Sequence, residues 1–539
     1  MHFYKKKHIY NIFYLILIIK ILLIIIFILL ILLLLTKFLI LKNFILLLII
    51  FNITSLFAQN IDLKWSEKLI QSKEDLNLAD LVINDTGIHA LFIDDIDNRL
   101  LIKHYDFDLN FIKKKKIEVD IYGKGFSLIK AIGAKDKLII NFSKFFKESD
   151  KIVVYGTVLN NDYQTSPVKI LEEINDTRYI EYLKSDISQD HTKLIYVTKL
   201  KSDDKKIFKY SVKVYDTLLE NIYSETILKL ANKDSAKINS FKVDNNGNAY
   251  LVTLSNEEVL NEKGKKSIEN ILNLNIIKNT SGEYLTYSLL NSDYKINSIT
   301  VNQIDNNIVA VTTFGANKNE ISKKERDKNY IISYYKFNTD TFEFNEPQII
   351  DIGHLIPSDD TFNDRLPYEF SQIVKHDNGK ISLVGEQYKH LLIQTTDRNG
   401  VPITYTKYYY CDIMNLNLDH DLNVDNLAMI PKYQTNLDFA SFIATSFNNK
   451  TYIVYEDKNE HADLINTVVH IGFNNPYKRK KNALQMAVID QDGKPLKRKI
   501  QEYKKVKKEF LFNVKRSKNL GNGKILYLGL ERLALLQIK

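Results

Sequence analysis

This chain is poor in the residues that staple, kink or punctuate a polypeptide. Its 539 residues hold one cysteine, Cys411, one tryptophan, Trp65, and only 18 Gly and 8 Pro. A lone cysteine excludes an internal disulfide framework and any cysteine-built metal site. The scarcity of Gly and Pro removes the flexible linkers that divide a long chain into separate domains. The common catalytic signatures are missing too. The sequence has no G-x-S-x-G elbow, no H-E-x-x-H and no phosphate-binding loop. None of the 11 His pairs with another at helical i, i+4 spacing, and His376 and His420 fall in turn-like segments. No cofactor and no metal site is expected.

What is present is material for a large core. Hydrophobic residues make up 45% of the chain, with 32 Tyr and 28 Phe, so a disordered chain is excluded. The formal charge of +9 is uneven. Residues 1–59 carry six Lys and no acid, which leaves +3 for the rest, too little for a nucleic-acid binder.

The N-terminus reads as an export segment. Residues 21–35 are uninterrupted hydrocarbon, long enough with their flanks to be a membrane-span candidate over 11–35. A second run, Lys42 to Asn60, has a basic start, a short apolar stretch and small or polar residues before Ala58-Gln59, which is signal-peptide grammar. Cleavage is expected beside Ala58, and residues 1–59 form the leader. No Met lies between Met1 and Met414, so a shorter start falls on Leu41. Residues 1–40 are then upstream sequence, the rival being a true anchor.

From residue 60 onward, short β-branched and aromatic runs alternate with Asn, Asp and Gly turns. Only the stretch from Asn256 to Leu274 reads as a helix, within an inserted loop. A turn followed by an apolar strand recurs at Asp190-His-Thr-Lys, Asp244-Asn-Asn-Gly247, Asp305-Asn-Asn and His376-Asp-Asn-Gly379, at steps of about 54, 61 and 72 residues. That period suits a four-stranded blade. The expected fold is all-β, a single β-propeller over 60–539 with about seven blades, six to eight being possible.

Three motifs stand out: Gly385-Glu-Gln-Tyr388, Tyr408-Tyr-Tyr-Cys-Asp412-Ile, and Ile430-Pro-Lys-Tyr-Gln434. With them the chain resembles a family of exported β-propeller-like proteins of Bacteroidota, more weakly through Val488-Ile-Asp-Gln-Asp-Gly493 to the C-terminus. It departs at Asn426-Leu-Ala, where that family tends to place a Trp. The resemblance implies a propeller at the envelope or cell surface and implies no reaction. Within the motifs, Cys411 is read as a buried inert thiol and Tyr408 to Tyr410 as core packing between blades.

Residues 478–518 hold 15 Lys/Arg against four acids. Lys478, Arg479, Lys480, Lys481, Arg498, Lys499, Lys504 and Lys505 are therefore candidate binding residues for anionic envelope material or an acidic protein. The competing reading is solvated strand edges guarded by lysine. The expectation is an exported, non-enzymatic protein of a Gram-negative periplasm or cell surface. It would bind an envelope protein or anionic glycan through a propeller face and touch membrane only through its leader. The alternative is a carbohydrate-active hydrolase or lyase with carboxylates in the central channel.

Overall fold

The computed structural model describes residues 18–33, 35–37, 42, 61–69, 76–94, 99–118, 126–174, 184–200, 207–231, 237–260, 264, 266–292, 295–315, 331–345, 348–352, 368–396, 400–434, 441–461, 481–529 and 531–539. In the N-terminal unit, Ile18–Lys37 is a helix of mean hydropathy 3.6, long and apolar enough to cross a membrane. The second apolar run, at 43–60, lies outside the described residues.

Residues 63–537 form one compact unit, built from eight four-stranded antiparallel sheets. They are blades 1 to 7, at 76–118, 126–174, 184–231, 237–292, 295–351, 368–430 and 442–502, and blade 8, whose strands after 511 are joined by Ile61–Lys68. The fold is a β-propeller, with eight blades against the seven expected and inside the expected range. In each of the first seven blades the chain runs from innermost strand to outermost in sequence order. Blade 8 runs the same way for three strands, Phe512–Gly521, Lys524–Gly529 and Arg532–Ile538, and takes its outermost strand from the other end of the chain. Leu533 N–H donates to Ser66 Oγ at 3.0 Å, Arg532 donates to Ser66 O at 2.7 Å, and Leu69 N–H donates to Glu531 O at 2.9 Å.

Each blade buries its faces only against its neighbours, so the core lies in the seams. Leu91, Ile102, Ile140 and Tyr155 fill the seam between blades 1 and 2; Ile195, Val212, Leu251 and Ile277 fill that between blades 3 and 4. Ile88, Phe92 and Tyr105 of blade 1 pack with Leu526, Leu533 and Leu535 of blade 8, and this contact closes the ring. Such burial, at about 25 cal/mol per Å2, is what a blade lacks in isolation.

A second repeat, which the sequence reading passed over, sits at the turn between the third and fourth strands. Asp106, Asn160, Asp216, Asp419 and Asp490 each use Oδ1 to accept from the N–H groups two and four residues on, at 2.8–3.1 Å. The residue at i+3 takes a left-handed φ: Leu109, Tyr163, Leu219, Leu422 and Gly493. All four non-glycine side chains there are buried. A side chain in that conformation costs about 1 kcal/mol, offset by burial in the seam.

The turns identified from sequence are turns between first and second strands. Asp244 Oδ1 accepts from Asn246 and Asn248 N–H at 2.9 and 2.8 Å, with Gly247 at φ +88°. The helix expected over Asn256 to Leu274 is absent. Ala249–Leu260 and Lys266–Ile277 are paired strands in continuous register from Ala249↔Ile277 to Leu260↔Lys266. The ladder of the blade core simply extends into a two-stranded ribbon, and tertiary pairing overrides the local helical pattern.

Candidate functional site

The innermost strands line the channel, and they are kinked at equivalent places. Register shifts fall at Leu78/Asp80, Leu128/Lys130, Ile238/Ser240, Ile296/Ser298 and Phe370/Gln372. Such bulges re-aim the side chains that follow. Those polar side chains reach from blade to blade. Asp80 Oδ2 accepts from Ala131 N–H at 3.0 Å, Lys130 donates to Ser185 O at 3.0 Å, and Lys242 donates to Asp186 Oδ2 at 2.8 Å. Farther round, Gln372 donates to Phe442 O at 3.0 Å and accepts from Ala444 N–H at 2.8 Å.

Where blades 8, 1, 2 and 3 meet the channel, these strands surround a cavity of about 480 Å3. Its wall includes Asp80, Lys130, Asp186, His191, Lys518 and Asn519, with the half-exposed ring of Phe107 at the turn side. Two of its three carboxylates, Asp80 and Asp186 but not Asp85, have side-chain partners in the wall or beside it among the described residues. Asp80 accepts two backbone N–H groups, from Leu81 at 2.8 Å and from Ala131, and Asp186 is ion-paired with Lys242. Desolvation holds the Lys130 amine below its ordinary pKa, opposed by Asp186 and Asp80. The wall therefore sets these polar groups among apolar ones, Leu81, Val82, Ile132, Ile187 and Leu520.

The three motifs picked from the sequence come together elsewhere, where blade 6 meets blade 7. Lys432, fully buried, donates to Glu386 Oε2 and, at 3.1 Å, to Gln434 Oε1. Its N–H donates to Asp412 Oδ1 at 3.0 Å. Ser441 Oγ donates to Glu386 Oε1 at 2.5 Å. Gln434 exchanges backbone hydrogen bonds with Tyr410 at 2.8 and 2.9 Å and donates from Nε2 to Glu456 O at 2.6 Å. Burial pushes the Asp412 carboxyl up to about 7. Glu369, directly opposite Glu386 in the ladder, is pushed to about 7 by burial and then by the Glu386 charge. A protonated carboxyl beside a second one is the equipment of a general acid. Here Glu386 is held by Lys432 and Ser441, which suits a structural knot. Cys411 is buried with its thiol pKa raised by burial. Tyr409 and Tyr410 are buried, and Tyr388 stacks on Tyr408 at 6.5 Å.

Of the basic candidates, Lys478, Arg479 and Lys480 lie outside the described residues. Lys481 is exposed just before Asn482–Ile489. Arg498 and Lys499 lie on Pro495–Glu502, the outermost strand of blade 7, and Lys504 and Lys505 on the exposed connection after it. Lys499 and Lys505 share Glu502, at 3.2 and 2.9 Å. None of the described ones among them lines the channel cavity. The cavity residues Lys130, Asp186 and Lys518 were missed because they come from strands up to 388 residues apart, with no local signature.

No family model matches the chain, and no curated protein matches it in sequence. Solved structures similar to it include propeller domains. The β-propeller domain of the Trilobed protease from Pyrococcus furiosus is 10% identical, over 80% of this chain and 98% of that one, with a TM-score of 0.35. The WD40 domain of SCAP from fission yeast is 8% identical, over 89% and 94%, with a TM-score of 0.38. The Pyrococcus horikoshii acylaminoacyl peptidase is 11% identical, over 73% of this chain and 59% of that one, with a TM-score of 0.31. At such identity the likeness reaches no further than the fold.

Proposed function

We propose that this chain is an exported, non-enzymatic binding protein of a Gram-negative envelope that takes a saccharide at the channel mouth of blades 8, 1, 2 and 3. The observation that carries the reading is the cavity itself. Its volume lies in the usual range for small-ligand sites, about 300–1,000 Å3. Asp80 and Asp186, two of its three carboxylates, are already partnered, which favours a neutral polar ligand over a cation. His191 offers hydrogen bonds, as do the amide hydrogen and lone pair that Asn519 does not use on Ala444 O and Gly521 N–H, and Phe107 offers an apolar face of the kind a sugar ring covers. The apolar helix Ile18–Lys37 is compatible with export.

The hydrolase alternative needs a free pair of carboxylates in the channel. Asp80, Asp85 and Asp186 line the cavity, and Asp80 and Asp186 have partners, so only Asp85 stands outside these bonds. The test is calorimetric titration of the purified chain with envelope polysaccharide fractions, alongside Phe107→Ala and Asn519→Ala. Saturable binding weakened about tenfold or more by either change, without release of reducing ends, supports the proposal. Release of reducing ends moves the chain to the hydrolases. Absence of binding to every fraction, or equal binding by the variants, removes the saccharide site.

A further inference from the structure

The outermost strands of the eight blades differ in charge around the ring. Phe111–Glu118 of blade 1 carries four Lys against one Glu, and Pro495–Glu502 of blade 7 carries two Lys and one Arg against one Glu. The connection after the latter adds Lys504, Lys505, Lys507 and Lys508, all exposed. Between them stands blade 8, whose outer strand Ile61–Lys68 is balanced. The other outer strands are neutral or acidic. Lys169–Ile174 has one Lys against two Glu, Asn221–Ala231 is balanced, Tyr284–Ser292 is uncharged, and Gln348–Asp351 and Val424–Ile430 each carry a single Asp. The basic strands are about 380 residues apart in sequence, and ring closure makes them flank one blade.

We infer that the rim formed by blades 7, 8 and 1 is a docking surface for the anionic headgroup layer of a lipid bilayer. Complementary charge is the first argument. Lys114, Lys115 and Lys116 are exposed, and several lysines on one face multiply affinity for an anionic layer by about fivefold each. The second argument is apolar. Phe111 and Ile112 of the same strand are 45% and 48% exposed, which suits the boundary between headgroups and acyl chains. The third is connectivity. The chain enters the ring at Ile61–Lys68, so the arc's central blade is the one joined in sequence to the apolar segment. A rim contact lays the channel axis along the bilayer plane and leaves the cavity open to solvent. This inference stands apart from the saccharide reading, because no residue of the arc named here lines the cavity.

Trp65, the only tryptophan, lies on the outer strand of blade 8 and serves as the reporter. The full chain is mixed with vesicles containing brominated lipid, either neutral phosphatidylcholine alone or with phosphatidylglycerol. The expected result is severalfold stronger quenching of Trp65 in the anionic vesicles, reversed by high salt. Lys114→Glu/Lys116→Glu/Lys504→Glu/Lys505→Glu should abolish the difference, while Lys184→Glu/Lys266→Glu, on blades 3 and 4, should leave it intact. Quenching equal in both vesicle types overturns the inference, and wild-type chain alone decides that point. So does full quenching in the fourfold variant, or retention on an anionic polysaccharide resin with no response to vesicles.

Discussion

Lys432 donates its fully buried amine to the Glu386 carboxylate, so one ion pair ties the long hairpin of blade 6 to the segment that leads into blade 7. Removing one member leaves the other charged and unpaired in a dry seam. We expect Lys432→Met to cost about 3–5 kcal/mol in urea unfolding, and Lys432→Met/Glu386→Leu to recover most of that. Strictly additive losses in the double variant would show that the two charges do not depend on each other.

The carboxyls of Asp412 and Glu369 give stability a dependence on neutral pH. Both are raised to about 7, first by burial. The folded chain therefore keeps protons that the unfolded chain releases near pH 4. This stabilisation is complete below the unfolded values and is lost as pH rises through 7, at up to about 1.4 kcal/mol per pH unit for Asp412. Glu369 is partly exposed and contributes less. Unfolding midpoints should fall from about pH 4 to 7 and level off above that, and Asp412→Asn should flatten the slope.

His89 and His104 act at the acid end. Their rings stack at 4.3 Å, with His89 Nδ1 at 2.9 Å from Tyr163 OH and Nε2 at 2.9 Å from Asn84 Oδ1. Burial, then the neighbouring His104 and Lys113, lowers His89 to about 3, and burial also lowers His104. The folded chain refuses protons that the unfolded chain accepts below 6.5. Stability from this pair is present above that pH and is lost as pH falls toward 3. His89→Gln should shift the acid unfolding midpoint down and make the transition shallower.

Cys411 should behave as an inert methyl-sized thiol. It is 1% exposed, and burial raises its pKa, so thiolate is scarce. Alkylation should be complete in minutes in denaturant and negligible over hours in native buffer. Rapid native labelling would mean that the seam around Tyr409 and Tyr410 opens readily.

What was legible in the sequence was local. The turns at Asp190, Asp244, Asp305 and His376 declare themselves because each is a polar cluster followed directly by an apolar run, and their spacing yields the blade. The turn repeat at Asp106, Asn160 and Asp216 was hidden because its defining position accepts Leu, Tyr or Gly alike. Seven turns join a third strand to a fourth within blades 1 to 7, and blade 8 has no such turn, since its fourth strand comes from residues 61–68. The helix expected near Asn256 failed because cross-strand pairing is invisible in a single strand. The Glu386, Asp412 and Lys432 motifs were visible as text, while their meeting in one buried knot was not.

The shared eighth blade also sets an order in time. The strand at 61–68 meets its partner only when residues 532–538 are available, so the first part of the ring to emerge waits for the last. A chain passing through a narrow channel, N-terminus first, holds no finished ring at any intermediate length, and unpaired blades stay pliable until its tail arrives. Removing residues 532–538 would leave the strand at 61–68 without its partner, so the latch couples the two edges of the ring to each other.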